Sequence, residues 1–378
     1  MDHTQQKWII WGAGKKGQKL YDDLSERGWA HNIVAVVDMD EKKWGSAWNG
    51  HEIENPEAIK GREFDKLIIA MVQWRGVYQY IVDHYGVKQE KIDNYFFLQR
   101  GHLLDFYEGK ENSPEEEKYI AYVRKFPLDV FNDFFPSKYE GIRIPVYFDE
   151  KVQMYYVYYG KKRMYFPRGF DKKGVEAYCR QILMEQDIKS PHKYQDHGFM
   201  VEPGETVLDI GAAEGNFSLD VIDTAKKVYL VETDKGWVEA LEQTFEPYRE
   251  KVCIIQKYVC DCCNEECITI DELAKQENFT SIKMDIEGAE AAAIKGGGEF
   301  LRRSFVKAFI CCYHEENHYR EISEMLQRWG YSIAATDGYM VFLGDGYPKQ
   351  GQAPKFVKGV IRAQKTGPDT GGTEMERV

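Results

Sequence analysis

Four carboxylates and one imidazole stand at or just beyond the ends of apolar runs: Asp209, Glu214, Glu232 and Asp285, with His314 after a later run. Such groups can hold a cation or take up a proton near neutrality. The stretch V-L-D-I-G-A-A-E-G-N-F, Val207 to Phe217, reads as a buried strand, a glycine turn and a helix start. Gly211 and Gly215 let the backbone approach a ligand, while Asp209 and Glu214 place negative charge where phosphate-binding loops offer only N–H groups. A phosphate would be repelled there. The expected ligand is cationic at its contact point, and S-adenosylmethionine, with an ammonium and a sulfonium beside an adenosine, meets that requirement. Asn216 completes the expected cofactor set. Glu232 closes the next apolar strand, 23 positions beyond Asp209, where doubly wound folds place the acid that takes ribose hydroxyls.

The elements that must position these groups alternate. After Val228–Val231, helical spacing of Trp237, Leu241 and Phe245 predicts a helix packed on the sheet. Strands follow at Cys253–Ile255, Ile282–Met284 and Val306–Cys312. Helices are expected at Ala289–Lys295, closed by Gly296, and around Ile322, Met325, Leu326 and Trp329, ending at Gly330. The pattern predicts a parallel sheet covered on both faces, with ligands at the carboxyl ends of its strands.

With those residues in view, the segment from about Val201 to Ala363 resembles an FkbM-type S-adenosylmethionine-dependent methyltransferase. The glycine turn, then I-T-I-D-E-L at 268–273, and above all I-K-M-D-I-E-G-A-E from Ile282 to Glu290 carry the resemblance. It implies O-methylation of a hydroxyl, often on a sugar or polyketide-like product, with Asp209, Gly211, Gly215 and Glu232 at the cofactor. It also implies that Asp285 and His314 sit near the acceptor, at the ends of neighbouring strands. His314 is the first candidate base. Asp285 is the second, as base, as orienter of the imidazole or as ligand to a divalent ion. One departure is the shortened, cysteine-rich segment between the third and fourth core strands. Another is Cys311-Cys-Tyr-His, which replaces the acid and histidine that often end the following strand.

Composition bounds the rest. The chain has 378 residues, 43% of them hydrophobic, and a net charge of −12, enough for two cores and without the basic stripe that nucleic acid requires. No apolar run reaches membrane-spanning length, and the N-terminus lacks the order of a signal peptide, so a cytoplasmic protein is expected. Cys260, Cys262, Cys263 and Cys267 form a C-x-C-C-x3-C cluster. Because all four fall in one short loop, they are read as ordinary reduced thiols, with no metal expected.

A second glycine motif opens the chain. Trp8–Trp11 is a short strand, and Gly12, Gly14 and Gly17 form G-x-G-x-x-G with Lys15 and Lys16 between them. Leu20 and Leu24 share a helix face, and the strand Ile33–Val37 ends at Asp38. This loop suits an anion, so Gly12, Gly14, Gly17 and Asp38 form a candidate nucleotide site.

The expected fold class is α/β: a doubly wound Rossmann-like methyltransferase domain at 201–365, preceded by a smaller Rossmann-like α/β domain at 1–100. A mixed α+β connecting region fills 101–200, with a helix start after Ser113 and a β-hairpin across Gly160. Its polar stretch 185–194 is read as a segment that closes over the cofactor or as a plain loop, His192 being its candidate for reaching the site. The tail 366–378 is expected to be disordered. The acceptor is expected to be a small molecule or glycan, with a homodimer open. Rival readings are an NAD-dependent oxidoreductase or epimerase using Gly12–Gly17, and a non-catalytic sugar-nucleotide-binding module.

Overall fold

The computed structural model describes residues 6–343 and 353–365. Among them the chain divides into two units after Gly141; the first also holds 341–343 and 353–356, the second 357–365. The stretch 101–200 therefore does not stand apart as a connecting region. Residues 101–141 join the first unit and 142–200 the second, where Val157, Met164, Phe166, Val175 and Ile182 enter a core shared with the main sheet. The tail 366–378 lies outside the described residues.

In the first unit, strands β1 (Trp8–Trp11), β2 (Ile33–Val37), β3 (Ala47–Trp48), β4 (His51–Glu54), β5 (Lys66–Ile69) and β6 (Ile92–Asn94) form one sheet in the order β3-β4-β2-β1-β5-β6. All pairings are parallel except β3 with β4. That hairpin turns at Asn49-Gly50, both with positive φ, the pair that a tight primed turn demands. Alternating residues feed two cores: Trp8 and Ile10 pack with Leu20 and Leu24 of helix α1 (Lys15–Glu26), while Ile9 and Trp11 pack with Tyr78 and Ile81 of α2 (Arg75–Tyr85). Helix α3 (Phe97–Tyr107) follows, and α4 (Pro114–Lys125) starts with the reciprocal Ser113–Glu116 capping box that the sequence suggests.

The second unit begins with an antiparallel meander, β7 (Tyr147–Asp149), β8 (Met154–Tyr159) and β9 (Lys162–Tyr165), and helix α5 (Lys172–Glu185). The alternation then runs β10 (Thr206–Ile210), α6 (Asn216–Val221), β11 (Lys227–Glu232), α7 (Lys235–Thr244) and β12 (Val252–Gln256). Two-residue strands β13 (Tyr258–Val259) and β14 (Cys267–Ile268) and helix α8 (Ile270–Leu273) precede β15 (Ser281–Met284). After it come α9 (Glu290–Lys295), α10 (Gly298–Arg303), β16 (Lys307–Cys311), α11 (His318–Arg328), β17 (Ser332–Ala335) and β18 (Val360–Gln364). The main sheet is ordered β12-β11-β10-β15-β16-β18-β17, parallel except for β18, which runs antiparallel to both neighbours. Leu208, Ile210, Ile282 and Met284 point into the core of one face, while Val207, Val228, Leu230 and Phe309 fill the other, the two-residue period of a sheet covered twice.

Strand order reverses between β10 and β15, and a crevice at the carboxyl ends opens at such a reversal. Gly211, directly after β10, shows how closely the chains approach there. Its φ is +71°, and a Cβ would lie 1.9 Å from the Asp285 carbonyl oxygen. Gly204, at φ +84°, has open space around it. Gly204→Ala should therefore cost only the left-handed strain, about 1 kcal/mol, whereas Gly211→Ala should cost more than about 3 kcal/mol or prevent folding. Urea denaturation of both variants measures the gap; equal losses would contradict it.

Candidate active site

Asp209 and Lys283 are direct partners across β10 and β15, so both side chains leave the sheet on the same face. Both are buried, with Lys283 Nζ 3.1 Å from Asp209 Oδ1. Ser218 donates to Asp209 Oδ2 at 2.6 Å, and Lys283 donates to the Gly211 carbonyl at 2.5 Å. Burial raises the Asp209 carboxyl despite Lys283 and Ser218. Lys283 stays charged, since Asp209 and Asp285 outweigh its own burial. Asp209, expected at the cofactor, also ties the two strands together through Lys283; the pattern of residues gave no sign of that partner.

The turn after β10 is shaped by its neighbours. Gly215 has φ +80°, and a Cβ there would press within 3 Å of Phe245 and Leu241 on and after α7. Leu241 and Phe245 are therefore the packing residues that their spacing predicts, while Trp237 lies among Phe166, Phe170 and Tyr178. Glu214 is buried and accepts a hydrogen bond from Tyr178 of α5 at 3.0 Å. Burial pushes its carboxyl up to about 7. Asn216 is buried and its side-chain oxygen accepts from the Phe217 N–H at 2.6 Å. Glu232 accepts from the Ala213 N–H at 2.9 Å, and from the N–H groups of Thr233 and Asp234 at 2.6 and 2.9 Å. A carboxylate has about four acceptor positions, so Glu232 is held rigid with acceptor capacity left over.

Asp285 follows β15 at the opposite side of the reversal. Tyr194 donates to its Oδ2 at 2.9 Å and Tyr313 to its Oδ1 at 3.3 Å. His192 Nε2 lies 3.5 Å from Oδ2 and His314 Nε2 3.5 Å from Oδ1. Burial opposes ionisation of Asp285, but His192, Lys283 and His314 together hold it well below the usual carboxylate range. His314 is buried with Nδ1 2.9 Å from Glu290 Oε1, and its Nε2 is 3.6 Å from Glu287, whose side chain is 84% exposed. Burial disfavours the imidazolium, yet Glu290, Asp285 and Glu287 raise the pKa of His314 above the ordinary value. Glu290 also accepts from the Ile286 N–H at 2.9 Å and approaches His318; its carboxyl is held at about 2, burial being outweighed by the two histidines.

The structure therefore brings Asp285 and His314 together, as the sequence suggests. His192, in the polar stretch before the catalytic sheet, also reaches Asp285 from its buried position. Sequence reasoning missed Lys283, Ser218, Tyr178, Tyr194, Tyr313 and Glu290. Glu290 had a visible signal, as the last acid of the 282–290 motif. Geometrically, an imidazole oriented by a carboxylate through Nδ1, with Nε2 beside a second acid, can accept a proton from a hydroxyl placed at Nε2.

In the first unit, the candidate nucleotide loop brings its first and third glycines together. Gly12 has φ +112°, and a Cβ on Gly17 would lie 2.2 Å from the Gly12 carbonyl. Gly14 precedes α1 with nothing near it. Asp38 accepts from the Ala13 and Asp40 N–H groups at 2.8 and 2.9 Å and pairs with Lys43 at 2.8 Å.

Comparison with known proteins agrees with this division. Residues 199–333 match a family model described as the methyltransferase FkbM domain, and residues 4–93 match one described as C2185-like, N-terminal. Among solved structures, a methyltransferase FkbM from Methylobacillus flagellatus KT is similar with a TM-score of 0.51 at 14% identity, covering 95% of this chain and 90% of that one. A SAM-dependent O-methyltransferase from Thermotoga maritima gives 0.30 at 15% identity, over 44% of this chain and 62% of its own. A precorrin-6y C5,15-methyltransferase from Geobacter metallireducens GS-15 gives 0.31 at 13%, over 44% and 82%. No curated protein matches the chain.

Removing one member of the buried Asp209–Lys283 pair strands the other. Lys283→Met should destabilise the fold by about 3–5 kcal/mol, and Asp209→Leu combined with Lys283→Met should recover most of that loss. Chemical denaturation of the single and double variants is the check. A double variant no more stable than Lys283→Met would rule the pair out as the cause.

Proposed function

Because residues 199–333 carry an FkbM-type methyltransferase domain, we propose that the chain moves a methyl group from S-adenosylmethionine to a hydroxyl of a carbohydrate, sugar nucleotide or related metabolite. The observation that carries this reading is the Glu290–His314–Asp285 cluster beside the glycine turn 211–215, at the carboxyl ends of β15 and β16. The residues present fit the cofactor. Gly211 and Gly215 keep side chains out of the turn, Glu232 is oriented by three backbone N–H groups, and Glu214 offers a buried acid to a cation.

When bound, the cofactor supplies a methyl group on a sulfonium with a neutral leaving group. Glu232 would take the ribose hydroxyls. Glu214 would stabilise the positive end of the ligand, and Asp209, through Lys283, would hold the turn in place. At the acceptor, His314 would receive the hydroxyl proton at Nε2 as the carbon–oxygen bond forms and the carbon–sulfur bond breaks. Glu290 would keep the imidazole turned toward that proton. Asp285, ionised and held by Tyr194, Tyr313 and His192, would orient the acceptor hydroxyl. Alignment of the two reactants supplies the larger share of the rate, since fixed geometry can contribute several kcal/mol.

Two measurements test the reading. Incubation with labelled cofactor and a panel of sugars and sugar nucleotides should yield a methylated product, with kcat reduced roughly 10²- to 10⁴-fold in His314→Ala. Because His314 is protonated to higher pH than an ordinary histidine, kcat should rise with pH through a value above 6.5. Undiminished turnover in His314→Ala would assign the proton to another group. The second measurement is cofactor affinity by calorimetry. Below about 7 the Glu214 carboxyl is neutral, so binding a cation must expel its proton. Affinity should therefore increase roughly tenfold from about pH 6 to pH 8, and Glu214→Gln should flatten that dependence. A slope unchanged by the substitution would place the cation elsewhere.

A further inference from the structure

The loop between β13 and β14 carries side-chain chemistry that methyl transfer does not use. Its backbone is closely tied. Asn264 Oδ1 accepts from the N–H groups of Glu266 and Cys267 at 2.9 and 2.8 Å, and the Asn264 N–H donates to the Cys267 carbonyl at 3.0 Å. Lys257 Nζ donates to the carbonyls of Asn264 and Glu265 at 3.2 and 2.9 Å. On its inner side the loop presses on Gly296, where a Cβ would lie 2.1 Å from the Cys260 carbonyl. Gly296, read from sequence as a helix stop, is needed for that contact; its φ of −68° is open to any residue.

Tying the loop this way gathers its sulfurs. Sγ atoms of Cys260, Cys262 and Cys267 all lie within 4.8 Å of one another. Thiolates around tetrahedral zinc, each about 2.3 Å from the metal, are about 3.8 Å apart, so rotamer adjustments alone could bring the trio to bonding distance. All three are free thiols. Asp261, Glu265 and Glu266 in the same loop add negative charge, and thiolate donors select soft, d¹⁰ ions over magnesium or calcium.

We propose that Cys260, Cys262 and Cys267 form a zinc site that staples this loop against the end of α9. Cys263 turns its Sγ to Thr269 Oγ1 at 3.5 Å, which leaves the fourth tetrahedral position to solvent. Spacing alone argued for ordinary thiols, because two separated knuckles are the usual pattern; the folded loop supplies the convergence that spacing could not reveal. The site would brace the Gly296 end of α9, the helix whose first residue, Glu290, orients His314.

The test uses the full chain, purified under reductant, stripped with a chelator and titrated with zinc or with cobalt as a spectroscopic substitute. Expected are one equivalent of zinc per chain, a thiolate-to-cobalt charge-transfer band, and a higher melting temperature in the loaded protein. Cys262→Ser should weaken zinc binding roughly tenfold or more, and the triple serine variant should lose the band. Cys253→Ser, outside the cluster, should behave as wild type. Absence of the band in wild-type protein whose thiols assay as reduced would overturn the site, as would an undiminished band in the triple variant. The wild-type titration decides the question even if the triple variant does not fold.

Discussion

Two opposite charges shut inside a sheet govern the geometry of the second unit. Taking a carboxylate and an ammonium out of water costs several kcal/mol each, so Asp209 and Lys283 are tolerable only while they face each other. That requirement pins β10 to β15 in one register, at the reversal of strand order where a ligand crevice opens. Lys283 also holds the Gly211 carbonyl, and its charge helps to keep Asp285 ionised. Glycine turn and acceptor-side acid are therefore positioned by one amine. A shift of either strand by a residue would turn its charge into the opposite, apolar core and leave the other charge unpaired.

The cluster around Asp285 balances charge in a different way. His314 lies among Glu290, Asp285 and Glu287, and His192 is acted on by Asp285 and Glu185; these carboxylates draw both imidazoles toward the charged form. Burial pulls against that charge. The outcome is a poised imidazole at His314, kept in one orientation by a carboxylate on the following helix and facing a second one. Tyr194 and His192 enter from the segment that follows α5, whose backbone is held to β18: Arg362 donates to the carbonyls of Lys193 and Tyr194 and pairs with Asp196. A strand at the far end of the chain thus fixes two of the groups that contact Asp285.

That dependence explains what sequence could and could not reveal. Alternating strands and helices were legible because apolar residues recur with clear periods, and the glycine turn because carboxylates there are unusual. Asp285 and His314 were legible as the first polar residues after buried strands. The partner of Asp209 was not legible, because a motif shows that an acid follows an apolar residue, not which face of the sheet it leaves by; only the register of β10 against β15 exposes Lys283. Strand β18 was not separated from its surroundings, since Val360–Gln364 is short and contains Arg362, whose charge breaks the apolar run but is satisfied by carbonyls distant in sequence. Residues 101–141 and 142–200 fall in different units; in the second, the aromatic strands and α5 look self-contained in sequence, yet Val157, Met164, Phe166, Val175 and Ile182 belong to a core shared with β10 and β11.

The two glycine loops share a construction that neither motif displays. In each unit the acid ending the second strand accepts the N–H of the residue in the first loop that follows the turn: Ala13 to Asp38 in one, Ala213 to Glu232 in the other. In each it also accepts an N–H two residues further along its own chain, from Asp40 and from Asp234. An acid at this position thus first serves to brace the loop, and its ability to receive a ligand depends on what remains. Asp38 has the shorter side chain and an added ion pair with Lys43; burial opposes its charge, but Lys43 and the backbone N–H groups keep it ionised below the ordinary value. Its charge is therefore spent on the protein. Glu232 is held by three backbone N–H groups and the Thr233 hydroxyl, with no ion pair to a cationic side chain among the described residues. The same brace thus serves both units, with an ion pair added in the first and a hydrogen-bonding hydroxyl in the second.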